Sequence, residues 1–107
     1  MTSRREKIEA MLAESPGDTF LRYSLALEME KAGEHDGSLQ RLAELMREQP
    51  PYVPAFLMAA QQLAGLERIE EARAALRDGI DAARTAGNAH AAGEMAELLA
   101  RLGAAGE

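Results

Sequence analysis

A repeat with a period of 34 residues is the feature that most limits what this chain can fold into. Pro16 and Pro50 are 34 positions apart, and a shift by that interval superposes apolar residues on apolar residues without a gap. The superposed pairs are Leu25 with Ala59, Ala26 with Ala60, Met29 with Leu63, Leu42 with Leu76, and Met46 with Ile80. Because one unit of such a repeat cannot bury its apolar face alone, a period of this length predicts a stack of helical hairpins.

Apolar residues recur at helical spacing along the whole chain, and turn residues divide that pattern into six short helices. We expect an N-terminal helix over residues 3–15, repeat one over 19–52, repeat two over 53–86, and a C-terminal capping helix over 88–102. The tail from Gly103 onward is expected to fray. A chain of 107 residues builds a single core, so residues 1–107 are expected to form one all-α domain of about six antiparallel helices.

Capping residues support these divisions. Asp18 or Thr19 can cap the second helix, and Gly33 can end it. A break is expected around residues 65–67, between the fourth and fifth helices. Gly87 and Asn88 then supply a helix stop and a helix start in immediate succession.

The stretch QPPYVPAF, residues 49–56, interrupts a chain that is otherwise rich in strong helix formers. The residue before a proline is driven out of helical geometry, so the third helix is expected to stop near Gln49. Pro54 differs, because a proline in the first turn of a helix has no backbone hydrogen bond to lose. Pro50 and Pro51 are therefore expected to close one hairpin and Pro54 to begin the next.

Two segments carry a family resemblance. In residues 20–50 the matching positions are Leu25, Ala26, Gly33, Leu39, Leu42 and Pro50. In residues 54–80 they are Phe56, Ala59, Ala60, Leu63, Glu71, Ala72, Leu76 and Ile80. From about residue 19 to 86 the chain resembles the tetratricopeptide repeat family, which implies a right-handed solenoid of helical hairpins. Arg22, Ser38 and Arg84 depart from the family pattern.

Composition narrows the possible functions. Aromatic residues make up only 4% of the chain, so its interior must use Ala, Leu, Met and Ile, which favours helix-on-helix packing. The formal net charge of −6 works against a binder of nucleic-acid phosphates. The absence of cysteine excludes a disulfide framework, a thiolate zinc site and a thiol nucleophile.

Catalytic signatures do not occur in the sequence. His35 and His90 are the only histidines and lack metal-ligand spacing, and no serine has a Gly-x-Ser-x-Gly setting. We therefore expect a non-enzymatic protein without catalytic residues, metal or cofactor. Because no apolar run has membrane length and the N-terminus does not read as a signal peptide, we also expect a cytoplasmic protein that does not bind membranes.

One helix has more apolar surface than its packing needs. Leu21, Leu25, Met29 and Ala32 form the expected packing stripe of the second helix. The opposite side of that helix carries Phe20, Tyr23 and Leu27. In the resembled family this second face lines a concave groove for peptides or partner helices, and in the next hairpin it maps onto Leu57, Met58 and Gln61.

The favoured hypothesis is an interaction module that binds a peptide or helix of a partner protein along these six residues. A second hypothesis is burial of the same face by the chain's own end helices or by another copy in a homodimer. A third is RNA binding by a helical repeat, which the acidic composition disfavours.

Overall fold

The computed structural model describes residues 2–106, with side chains up to residue 103. These residues form six α-helices and no β-strand. The helices are α1 (Arg4–Glu14), α2 (Thr19–Lys31), α3 (His35–Met46), α4 (Pro54–Gly65), α5 (Ile69–Thr85) and α6 (Ala89–Gly106). The predicted all-α fold class is confirmed.

The helices pack chiefly on their neighbours in sequence. α2 pairs with α3 and α4 with α5, while α1 lies on α2, α3 lies on α4, and α6 packs on α5 and touches α4. The starts of α2, α4 and α6 fall at residues 19, 54 and 89, so each begins 35 residues after the one before. The helix expected as a cap is thus in register with the first helices of the two hairpins.

Small side chains let the helices approach closely in the core. Ala26 on α2 and Ala60 on α4 are equivalent by the repeat, and both have no exposed surface. Ser38 on α3 is also fully buried, and its hydroxyl donates a hydrogen bond of 2.7 Å to the carbonyl oxygen of Ala26. The buried hydroxyl is therefore satisfied by the helix against which it packs.

The apolar stripe predicted on α2 is only partly correct. Leu25 is buried, but Leu21 and Met29 are half-buried, and Ala32 is an exposed C-cap. The buried residues of α2 are instead the consecutive Ser24, Leu25 and Ala26. Three consecutive positions span about 200° of a helix, so α2 must be covered from more than one side, and α1 and α3 both pack on it.

Side-chain caps begin three of the helices. Ser3 and Glu6 form a reciprocal capping box at α1, with both hydrogen bonds at 3.1 Å. Asp18, and not Thr19, caps α2 by accepting a 2.9 Å hydrogen bond from the backbone N–H of Leu21. Asn88 accepts one of 3.0 Å from Ala91 at the start of α6.

The turns after α2, α4 and α5 all need a residue in the left-handed region. Gly33 has a φ of 82° and Gly87 a φ of 74°. Glu67, which the 34-residue repeat makes equivalent to Gly33, has a φ of 61° although it carries a side chain. The break expected around residues 65–67 therefore falls at Leu66 and Glu67, and Gly65 remains the last helical residue of α4.

Two helix ends differ from expectation. α3 ends at Met46 and not near Gln49, because the chain turns back at once and the backbone N–H of Tyr52 donates to the carbonyl of Leu45 at 3.0 Å. α6 continues to Gly106 and does not stop at residue 102, since a stretch containing Ala104 and Ala105 can extend the helical ladder. Pro54 is the first helical residue of α4.

Candidate functional site

A cavity of about 260 Å³ opens between α2, α4 and α6, and we call it the central pocket. Its lining combines apolar side chains with a few polar ones. The lining residues are Tyr23, Val53, Pro54, Leu57, Met58, Gln61, Asn88, His90, Ala91, Glu94 and Met95. The pocket therefore lies between the first helices of the two hairpins and α6, which starts at the same 35-residue interval.

Four of the six residues singled out in the sequence line the central pocket: Tyr23, Leu57, Met58 and Gln61. Leu27 is half-buried and does not line the pocket. Phe20 lies one turn before Tyr23, outside the pocket, with 57% of its surface exposed.

The pocket floor depends on a close approach of three helices. Met95 on α6 is only 1% exposed. A Cβ atom added to Gly79 on α5 would lie 2.5 Å from the Met95 sulfur and 2.5 Å from the Cβ of Phe56 on α4. Glycine at position 79 therefore lets α5, α4 and α6 meet at the distance that sets Met95 beneath the pocket.

Tyr23, which lines the pocket from α2, packs against Tyr52, which does not line it. The ring centroids of Tyr23 and Tyr52 are 5.5 Å apart, with the ring planes tilted by 54°. This is a favourable arrangement for two aromatic rings. Burial raises the pKa of Tyr23 above its usual value, with a smaller contribution from Tyr52, and burial also raises the pKa of Tyr52. Both phenols are therefore neutral hydrogen-bonding groups at physiological pH.

The α6 wall of the pocket was absent from the sequence prediction. Asn88, His90, Ala91 and Glu94 all line it. The signal that could have revealed them is the 35-residue spacing from Pro54 to Ala89, which marks α6 as another first helix. Tyr52 was also missed, because it stands in the loop between two helices, where helical periodicity carries no information.

Two solved structures share this arrangement of helices. A tetratricopeptide repeat domain protein from Salinibacter ruber superposes with a TM-score of 0.76 and 28% sequence identity, over 81% of this chain and 88% of that protein. This chain has a tetratricopeptide-repeat-like fold. A protein from Bordetella parapertussis superposes with a TM-score of 0.80 and 28% identity, over 96% of this chain and 90% of that one. No protein-family model matches the sequence, and no curated protein is significantly similar to it.

Within the tetratricopeptide-repeat-like fold the central pocket carries little charge. Glu94 is the only acidic residue that lines it, and neither lysine nor arginine lines it among the described residues. The Glu94 carboxylate lies 3.2 Å from Nε2 of His90, whose side chain is 88% exposed. Such an exposed pair contributes little to stability, so the carboxylate can exchange partners at small cost.

The described part of the chain contains neither a cluster of metal ligands nor a helix suited to cross a membrane. No cluster of three or more histidine or acidic side chains there could hold a metal ion. His35 lies by the turn after α2, near Glu30, and His90 stands on α6. None of the described helices has both the length and the apolar character needed to cross a bilayer.

Proposed function

We propose that the chain is a non-enzymatic protein-interaction module that binds a peptide or helix of a partner protein in the central pocket. The observation that carries this proposal is the apolar pocket between the first helices of successive hairpins in a tetratricopeptide-repeat-like fold. Tyr23, one of the four aromatic side chains of the sequence, lines that pocket and packs against a second, Tyr52. An accessible apolar surface of this kind is typical of a binding site.

The affinity expected from the pocket is modest. Full burial of an apolar side chain stabilises a complex by about 1.5 to 3 kcal/mol before association costs are subtracted. Tyr23, Leu57 and Met58 are half-buried in the free chain, so each has only part of that gain left to contribute. Dissociation constants in the micromolar range are the expected outcome.

A defined peptide selection tests the proposal. Short random peptides are selected on the wild-type chain, and their affinities are then measured for Leu57→Ala and Tyr23→Ala. Leu66→Ala is the matched control, because Leu66 is an exposed leucine at the end of α4 that does not line the pocket. The pocket variants should weaken binding by about tenfold, the loss expected when a side chain is truncated at a contact worth roughly 1.4 kcal/mol.

Two-dimensional NMR of the same complexes locates the peptide. Amide signals of Leu57, Gln61 and Ala91 should shift on titration, whereas those of exposed residues on α1 should not. Selected peptides that bind equally well to correctly folded Leu57→Ala and Tyr23→Ala would refute the proposal.

Self-association is the second candidate, and the exposure of Phe20 favours it. With 57% of its surface exposed, Phe20 is the most exposed of the large apolar side chains in the described part of the chain. A second copy that covered this ring would stabilise a homodimer. Analytical ultracentrifugation over a wide concentration range tests it, since a wild-type chain that stays monomeric at the highest concentration removes this candidate.

A further inference from the structure

We infer that the segment bound in the central pocket carries an apolar side chain flanked by a lysine or arginine, and that Glu94 receives this cation. This inference rests on the proposed function, because it names the chemistry of the partner at the same pocket. The size of the pocket, its charge and the ring of Tyr23 each contribute to it.

The pocket has room for a bulky side chain and lies near the lower end of small-molecule site volumes. Sites for drug-sized ligands enclose about 300 to 1,000 Å³, whereas the central pocket encloses about 260 Å³. Its floor is fixed by Met95, while Met58 in its wall has an unbranched side chain that adapts to the shape of an occupant. One bulky apolar side chain of a peptide fits this space.

The charge of the pocket selects the group next to that side chain. Glu94 supplies the only carboxylate among the lining residues. The side chain that contacts it, His90, is largely exposed to solvent. An acidic side chain or a chain-terminal carboxylate in the same place would meet Glu94 without a lysine or arginine of the pocket to compensate. The net charge of −6 for the whole chain adds attraction for a basic segment.

The ring of Tyr23 is a further feature of the pocket that can attract a cation. Tyr23 lines the pocket and packs against Tyr52. A guanidinium or ammonium group near the face of a tyrosine ring is attracted by the ring quadrupole. Gln61 and Asn88 also line the pocket, and their side-chain NH2 groups can donate hydrogen bonds to the backbone carbonyls of an extended segment, while Oδ1 of Asn88 already accepts from Ala91.

Two measurements on the intact chain test the inference. The peptides selected on the wild type should be enriched in lysine and arginine beside an apolar residue, and depleted in aspartate and glutamate. Synthetic peptides with one selected apolar anchor, flanked in turn by Lys, Ala or Glu and blocked at both ends, are then titrated by fluorescence polarisation. The order of affinity should be Lys, then Ala, then Glu, and the difference should shrink at high salt.

Glu94→Gln identifies the receiving group. It should weaken the Lys peptide about two- to fivefold, the range of exposed ion pairs, and leave the Ala peptide unchanged. Glu94→Lys should reverse the preference toward the Glu peptide. Glu44→Gln is the matched control, because Glu44 is an exposed acid on α3 outside the pocket and its replacement changes the net charge equally.

The outcomes separate the inference from the proposed function. Binding that depends on Leu57 but shows no preference for the Lys peptide, or the same loss with Glu94→Gln and Glu44→Gln, overturns the inference and leaves the proposed function standing. Selected peptides indifferent to Leu57→Ala overturn both. Glu94 is exposed, so Glu94→Gln should melt at the same temperature as the wild type. Matching melting curves verify that the variant is folded.

Discussion

Replacement of Gly79 by alanine tests the helix contact that underlies the central pocket. Gly79 is buried on α5, and an added Cβ would lie 2.5 Å from the Phe56 Cβ, 3.0 Å from its Cγ and 2.5 Å from the Met95 sulfur. Carbon atoms in contact prefer separations of about 3.5 to 4.0 Å. The Phe56 Cβ moves only with the backbone of α4, so the helices themselves must separate.

Two opposing effects decide the result. Alanine is favoured over glycine inside a helix by about 1 kcal/mol. Overpacking of a close contact costs about 1 to 3 kcal/mol. Gly79→Ala should therefore be neutral to destabilising by up to about 2 kcal/mol, even though the same substitution in an open helix is stabilising.

Two glycines of the same chain provide matched controls. An added Cβ at Gly93 on α6 meets nothing within 4 Å, so Gly93→Ala should gain the full helix preference of about 1 kcal/mol. At Gly37 the Cβ would meet only the terminal Cε of Met29, at 2.5 Å. That methyl group can move aside, so Gly37→Ala should fall between the other two variants.

Urea denaturation followed by circular dichroism measures the three free energies of unfolding. The expected difference between Gly93→Ala and Gly79→Ala is about 1 to 3 kcal/mol, and each kcal/mol corresponds to about 4–8 °C in Tm for a domain near this size. If Gly79→Ala stabilised the chain as much as Gly93→Ala, α5 would not approach α4 and α6 as described. The assigned floor of the central pocket would then be wrong.

Three further predictions concern stability. Ala60→Leu should overpack the buried cluster that Ala60 on α4 shares with Ala72 on α5 and cost about 1 to 3 kcal/mol; an unchanged urea midpoint would contradict the repeat register. Glu67→Gly should stabilise the chain by up to about 1 kcal/mol by relieving a φ of 61°, and a lowered Tm would contradict this assignment of strain. Because burial raises the pKa of Tyr23 and Tyr52, the folded chain holds their protons longer than the unfolded chain does, so stability should fall as pH rises above the ordinary tyrosine value of 10.0. Denaturation across that pH range should show a smaller loss of stability for the double variant Tyr23→Phe/Tyr52→Phe than for the wild type. An equal loss in both would assign the effect to other groups.

Local sequence patterns predicted the six helices and most of the turns between them. The repeat superposes Ala26 on Ala60, and both are fully buried in the structure. Pro54 begins a helix, as its fixed backbone angle predicts. Gly33 and Gly87 occupy turn positions with a positive φ. Such features follow from local physics, because capping, backbone angles and a helical apolar face are each set within a few residues.

The central pocket depends on how the helices pack, which local patterns do not show. Tyr52 reaches Tyr23 across a loop, and α6 adds Glu94 to a wall that the sequence pattern assigned to two helices. Phe20 belongs to the same apolar set in the sequence as Tyr23 but lies outside the pocket. Periodicity shows which side of a helix is apolar. The shape of the space between helices depends instead on how closely their axes approach, which Gly79 and its neighbours set through contacts distant in sequence.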